Sequence, residues 1–228
     1  MRDDDKRAAA EAAVNEVQAG MLVGLGTGST AAHAIRLLGE RAGQGLRIDT
    51  VATSDASAAL ARSLGLPVRD FADVARLDLT IDGVDEIDPA CRAIKGAGGA
   101  MVREKIVAAA SRRMIAIADA PKRVERLGAA KLPVEVLPFA RSFVASALVR
   151  LGLQPVIGGG EDAPFRTDGG NIILDALGMR DADPARLASA LDSVPGVVGH
   201  GLFLSEIDAA YVAGDGIVTR MEPALPTT

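Results

Sequence analysis

Apolar residues fall along this chain in two rhythms. The continuous apolar run at 21–24 reads as a buried strand, since such a strand needs no polar alternation, and 46–54, 77–85 and 113–119 read as further strands. Between them lie segments with helical spacing. One is an Ala-rich stretch over 6–19, stopped by Gly20. A second follows the glycines at 24–28 and carries Ile35, Leu37 and Leu38. A third runs over 55–65, with Asp55 placed to cap it and Gly65 to end it. "LPV" at 66–68 reads as a short strand, and 93–113 as a strand end, a glycine turn and a helix. Strands that alternate with helices predict an α/β fold, with a Rossmann-like, mainly parallel sheet flanked by helices.

After residue 130 the rhythm changes. A strand over 131–138 precedes a helix over 139–152, and "QPVIGG" is the next strand. A hairpin is predicted around Asp168-Gly169-Gly170. A helix follows with Asp183 as cap and Pro184 in its first turn, then "VVGHGLFL" as one strand. The order β-α-β-β-α-β predicts a smaller α+β unit of the split-βαβ, ferredoxin-like kind over 132–205. The catalytic α/β domain is then 1–131 with 206–228. Residues 209–221 read as a hairpin turning at Gly214-Asp215-Gly216.

Composition narrows the function. The chain has 228 residues, 49% of them hydrophobic, and a net charge of −5, so it offers nucleic acid no electrostatic footing. Aromatic residues make up 3%, with no Trp, which removes a base-stacking platform. One cysteine, Cys91, allows no intrachain disulfide and reads as a small buried side chain. The first residues are charged and amphipathic, neither a signal peptide nor a membrane span, so the expected location is the cytoplasm, with no membrane partner.

The candidate chemistry gathers at strand ends. Gly26-Thr27-Gly28-Ser29-Thr30-Ala31 formally matches a dinucleotide fingerprint, but Asp49 lies inside its strand rather than at the tip where a ribose would need it. No lysine makes the loop a triphosphate cradle. Backbone amides with hydroxyls at Thr27, Ser29 and Thr30, opening a helix, suit one compact dianion such as a sugar phosphate. "TIDGVDEID" puts Asp82, Asp85, Glu86 and Asp88 just past a buried strand, where parallel sheets border their ligand crevice. Their spacing is not that of a calcium loop. His33 and His200 are far apart and read as a helix-surface and a strand-end residue. Lys95 precedes glycines that let a ligand approach the backbone. Glu104 has Ala100, Met101, Val107 and Ala108 as its helical neighbours, so it projects from an apolar stripe that raises its pKa toward a base's working range. A base and a cation beside a phosphate loop suit proton abstraction next to a carbonyl, as in aldose–ketose isomerisation.

In order along the chain, "GLGTGSTAAH", "TSDAS", "IDGVDEID", "KGAGGAMVREK", "ADAPK", "LPVEVLPFA", "TDGGNIILD" and "PGVVGHGLF" resemble the type A ribose-5-phosphate isomerases. The resemblance implies interconversion of D-ribose 5-phosphate and D-ribulose 5-phosphate in the pentose phosphate pathway, without metal or organic cofactor, by a homodimer or homotetramer. It implies that Glu104 moves the proton between C1 and C2, that Asp82 assists ring opening and that Asp85 orients hydroxyls. Lys95 would steady the enediolate oxygen. Thr27, Gly28, Ser29, Thr30, Gly83, Val84, Gly96, Ala97, Gly98 and Lys122 would bind substrate, with Lys6 near the phosphate. Departures from the family pattern are Ala97, Pro121 and Gly169-Gly170. A sugar-phosphate sensor, a CoA transferase relative and a nicotinamide dehydrogenase are the competing readings. The acidic charge and short leading segment disfavour the first, and the misplaced Asp49 the last.

Overall fold

Alternating helices and short strands carry the chain from an N-terminal helix to a C-terminal hairpin. The structure, a computed structural model, describes residues 2–160 and 162–223. In the first part, helix α1 (Arg2–Val14) leads to strand β1 (Leu22–Leu25), α2 (Ser29–Gly43), β2 (Asp49–Ala52), α3 (Asp55–Ser63) and β3 (Leu79–Gly83). Short strands β4 (Glu86–Ile87) and β5 (Ala93–Ile94) come next, then α4 (Met101–Ala110) and β6 (Met114–Asp119). The second part holds β7 (Leu132–Val136), α5 (Arg141–Arg150), β8 (Gln154–Ile157), β9 (Ile172–Leu177), α6 (Pro184–Asp192) and β10 (Val197–His200). The chain closes with β11 (Leu202–Phe203), β12 (Ala209–Gly214) and β13 (Ile217–Met221).

The main sheet has the order β13-β12-β6-β3-β1-β2. Its pairs are parallel except β12–β13, a hairpin closed by Asp215 and Gly216, both at positive φ as a two-residue turn of this hand requires. Every residue of β6 is buried, which accounts for its unbroken apolar run. A second sheet, β10-β7-β9-β8, is antiparallel throughout and has the split-βαβ order of a ferredoxin-like unit, with α5 and α6 as its helices.

Local expectations fail at particular points. The first helix ends at Val14 rather than 19; Asn15, a weak helix former, begins the turns that lead to Gly20. It starts earlier than expected because Asp3, Asp4 and Asp5 suit the positive end of its dipole. Ser54, not Asp55, caps α3: its hydroxyl accepts from the Ser57 amide. Asp49 opens β2 instead of lying within it. The 66–68 segment makes only a bridge, Thr50 to Val68, and the hairpin about Asp168 is a tight turn with a single bridge from Arg166 to Ile172. The strand expected over 197–204 breaks at Gly201. Its first half stays with β7, while its second joins β5 and β4 in a small third sheet that local periodicity did not foretell.

Candidate active site

The carboxyl ends of β1 and β3 and the turn after β5 converge on one cavity of about 180 Å³. Thr27 to Thr30 form one wall, Gly83, Val84 and Asp85 a second, and Lys95 to Gly98 a third; Glu104 and Lys122 complete it. Surface hollows of about 580 and 590 Å³ exist elsewhere, but no buried charged side chain lines either of them. Chemistry, more than size, marks the smaller one.

Its centre is a buried ammonium between two buried carboxylates. Lys95 Nζ lies 2.9 Å from Asp82 Oδ2 and 3.2 Å from Glu104 Oε2, and it donates to the Gly83 carbonyl. Lys95 is 2% exposed, Glu104 3% and Asp82 fully buried. Neither Asp82 Oδ2 nor Glu104 Oε2 receives an aligned hydrogen bond, so each is held by charge alone. Two anions and one cation out of water leave a net negative charge that burial penalises. Burial accordingly pushes Glu104 up to about 8, with the Asp82 charge adding to the rise and Lys95 opposing it. Burial also raises Asp82, against the pull of Lys95 and of the Thr27 and Gly83 amides that donate to its Oδ1 at 3.0 and 2.7 Å. Those amides favour the charged form of Asp82, an aid that Glu104 lacks. For Lys95, burial works against the charge, yet the two carboxylates outweigh it and hold the group at about 12. Asp82 does not line the cavity; it lies beneath Lys95.

Backbone geometry makes the approach possible. A side chain on Gly26 would come within 2.0 Å of the Asp82 carboxylate, so only glycine lets the loop pass over it. Gly28 caps α2 at φ 98° with no side-chain cap, which leaves the first amides of that helix to a ligand. Ser29, exposed beside them, accepts a 3.0 Å hydrogen bond from Lys6 Nζ on α1. Asp85 accepts from the Ala97 amide at 2.9 Å and lies 3.7 Å from Lys122, which donates to the Val84 carbonyl. Pro121 sits in a single 3-10 turn, Ala120–Lys122, which its fixed φ fits, and it does not displace Lys122 from the cavity wall.

One expected donor is turned away. The Thr27 hydroxyl is bonded to Thr53 Oγ1 and to Ser54 Oγ, both at 2.8 Å, and Ser57 Oγ donates to the Gly26 carbonyl at 2.7 Å. Thr27 therefore braces the loop instead of offering its hydroxyl to a phosphate. Residue-by-residue reading missed this brace; the signal was the hydroxyl-rich "TSDAS" block, which local spacing showed only as a helix start. Arg103 was likewise passed over. It bonds Asp55 at 2.8 Å and the Asp168 carboxylate at 3.3 Å, tying α4 to α3 and to the turn before β9. His33 pairs with Asp3 at 3.1 Å on the surface, and His200 ends β10; neither lines the cavity. Among the described residues, no three His, Cys, Asp or Glu side chains are grouped to hold a metal, and no helix is long and apolar enough to cross a membrane.

Residues 49–216 match the family model described as ribose 5-phosphate isomerase A (phosphoriboisomerase A). The chain is 52% identical over 217 residues to the ribose-5-phosphate isomerase A of Sphingopyxis alaskensis, covering 95% of each chain. It is 50% identical over 212 residues to that of Sinorhizobium fredii, covering 90% of this chain and 92% of the relative. The crystal structure of ribose 5 phosphate isomerase A from Neisseria gonorrhoeae superposes with a TM-score of 0.92 at 36% identity, covering 99% of both chains. A D-ribose-5-phosphate isomerase solved in complex with phospho-erythronic acid gives 0.93 at 32% identity, covering 97% of this chain and 99% of the other.

Proposed function

The chain belongs to the ribose 5-phosphate isomerase A family and interconverts D-ribose 5-phosphate and D-ribulose 5-phosphate; we propose that it does so through an enediolate, with Glu104 as the base. The observation that carries this reading is the Lys95 ammonium set 3.2 Å from a carboxylate whose pKa burial has raised to about 8. A base serves best when its pKa lies near the working pH, because it must both take the proton and give it back.

The steps follow from the arrangement. The phosphate rests on the α2 amides and Ser29, with Lys6 beside it. Asp82, off the cavity wall, acts on ring opening only through the Lys95 ammonium it holds, and Asp85 orients hydroxyls from the cavity wall. Glu104 removes the proton from C2 of the open aldose, and the electron pair moves into the C1 carbonyl to make the enediolate. Lys95 steadies the oxygen that gains charge, at a site where water cannot screen it. The C2 hydroxyl proton passes to O1, and Glu104 returns the carbon-bound proton to C1 as the C2 carbonyl forms, which gives the ketose with a C1 hydroxyl. Gly83, Val84, Gly96, Ala97, Gly98 and Lys122 shape the walls and hold the sugar. A solved relative was obtained in complex with phospho-erythronic acid, a phosphorylated sugar acid, which supports a site with a phosphate anchor and a separate place for an anionic oxygen.

The same reading makes the protein a cytoplasmic homo-oligomer, a dimer or tetramer. Phe139 and Phe143, large apolar side chains exposed at the start of α5, support it.

Purified protein is expected to interconvert the two pentose phosphates in the presence of a metal chelator. Glu104→Gln is expected to lower kcat by roughly 10²–10⁴-fold with little change in KM. An unchanged kcat in that variant would remove Glu104 from the role of base.

A further inference from the structure

We propose that Phe203 is a positioning residue for Lys95, its ring face holding the ammonium in place throughout the reaction. This rests on the role given to Lys95 above. The ring centroid lies 5.4 Å from Lys95 Nζ and 4.9 Å from Lys105 Nζ, so one aromatic ring meets two ammonium groups. Phe203 is 0% exposed, in a pocket where the attraction between a cation and a ring face is not diluted by water.

The backbone makes this contact a built feature. Phe203 pairs with Ala93 and Leu202 with Ile94 across β11 and β5, and the Lys95 amide donates to the Gly201 carbonyl at 2.9 Å. A side chain on Gly201 would stand 2.1 Å from the Lys95 carbonyl oxygen, so the close approach of the two segments depends on glycine there. Lys105, one residue beyond the proposed base, donates to the Leu202 carbonyl at 2.6 Å and fixes the short strand from its other side. The sequence block "HGLF" thereby joins the ammonium to the helix that carries Glu104.

The chemistry explains why a ring suits this place. The Lys95 ammonium donates to the Gly83 carbonyl and is held by the charges of Asp82 and Glu104. When Glu104 takes the carbon-bound proton it loses its charge, and one anchor of Lys95 weakens as the enediolate oxygen begins to need the cation. The ring face attracts the ammonium without claiming a donor, and its attraction does not change when Glu104 is protonated. A leucine of similar bulk would keep the packing and lose the negative face.

The test is a fluorination series at position 203, in which mono-, di- and trifluorophenylalanine are incorporated into the full-length protein beside Phe203→Leu and Lys95→Met. Fluorine withdraws the ring's negative face with little change in shape. The expected result is a stepwise fall in kcat, reaching about 3- to 10-fold for the trifluoro ring, with KM within about twofold and an unchanged melting temperature. A flat kcat across the series, or a change confined to KM, overturns the proposal if Lys95→Met is itself inactive, since the ring then only fills space. If Lys95→Met retains its kcat, the role of Lys95 falls and that of Phe203 falls with it. The fluorinated rings carry the test even if the leucine variant fails to fold.

Discussion

Glu104 and His200 are both buried titratable residues, and burial shifts them in opposite directions because their charged forms have opposite sign. Glu104 must be ionised to take a proton, so kcat/KM is expected to rise with pH, reach half its plateau near 8 and level off above it, far above the range of an exposed glutamate. A profile with its midpoint near pH 4–5 would show that the apolar stripe and Asp82 leave the group unperturbed. His200 is held down at about 4, first by burial and then by the Lys105 charge, with Asp192 at 3.2 Å opposing. A base whose folded pKa is depressed adds stability above its unfolded pKa of 6.5 and loses it as pH falls through 4. His200→Gln is therefore expected to lose less melting temperature than the parent between pH 7 and pH 4. An equal loss in both would mean that the imidazole takes no part in acid unfolding.

The glycine loop between β1 and α2 does its work as an element, since its value lies in what it permits its neighbours to do. Gly26→Ala is expected to push Asp82 off the ammonium, costing about 1–3 kcal/mol of stability and at least about tenfold in kcat. Gly43→Ala, near the other end of α2 where nothing stands within 4 Å, is expected to leave both unchanged. Thermal melts and steady-state kinetics on the pair check this; an active Gly26→Ala would show that the loop can yield without moving the carboxylate. Helix α4 is the second such element. It presents Glu104 to the cavity, Lys105 to the Phe203 strand and Arg103 to Asp55 and Asp168, so three consecutive residues face three different partners.

The molecule joins a mainly parallel sheet, an antiparallel one and a small third sheet, and apolar side chains at the start of α5, beside the antiparallel sheet, are open to solvent. Light scattering is expected to give a mass at least twice the 23.4 kDa protomer. Phe139→Ser with Phe143→Ser is expected to shift it toward the protomer; an unchanged oligomer would put the interface on another face. Much of this architecture was legible because it is written in local spacing. Apolar spacing marked the strands, and helical neighbours three and four residues away showed that Glu104 stands in an apolar stripe. Lys95 was legible as a strand-end cation before a glycine turn. Their meeting was implied by the family resemblance but not by local spacing, because Asp82, Lys95 and Glu104 belong to three segments whose approach depends on pairing across the fold. The break at Gly201, the small third sheet and the inward turn of the Thr27 hydroxyl were hidden for the same reason. The sequence alone determined which elements form and which side chains are chemically equipped. The tertiary structure decided which of them touch, because burial and charge pairing are set by neighbours that lie far away along the chain.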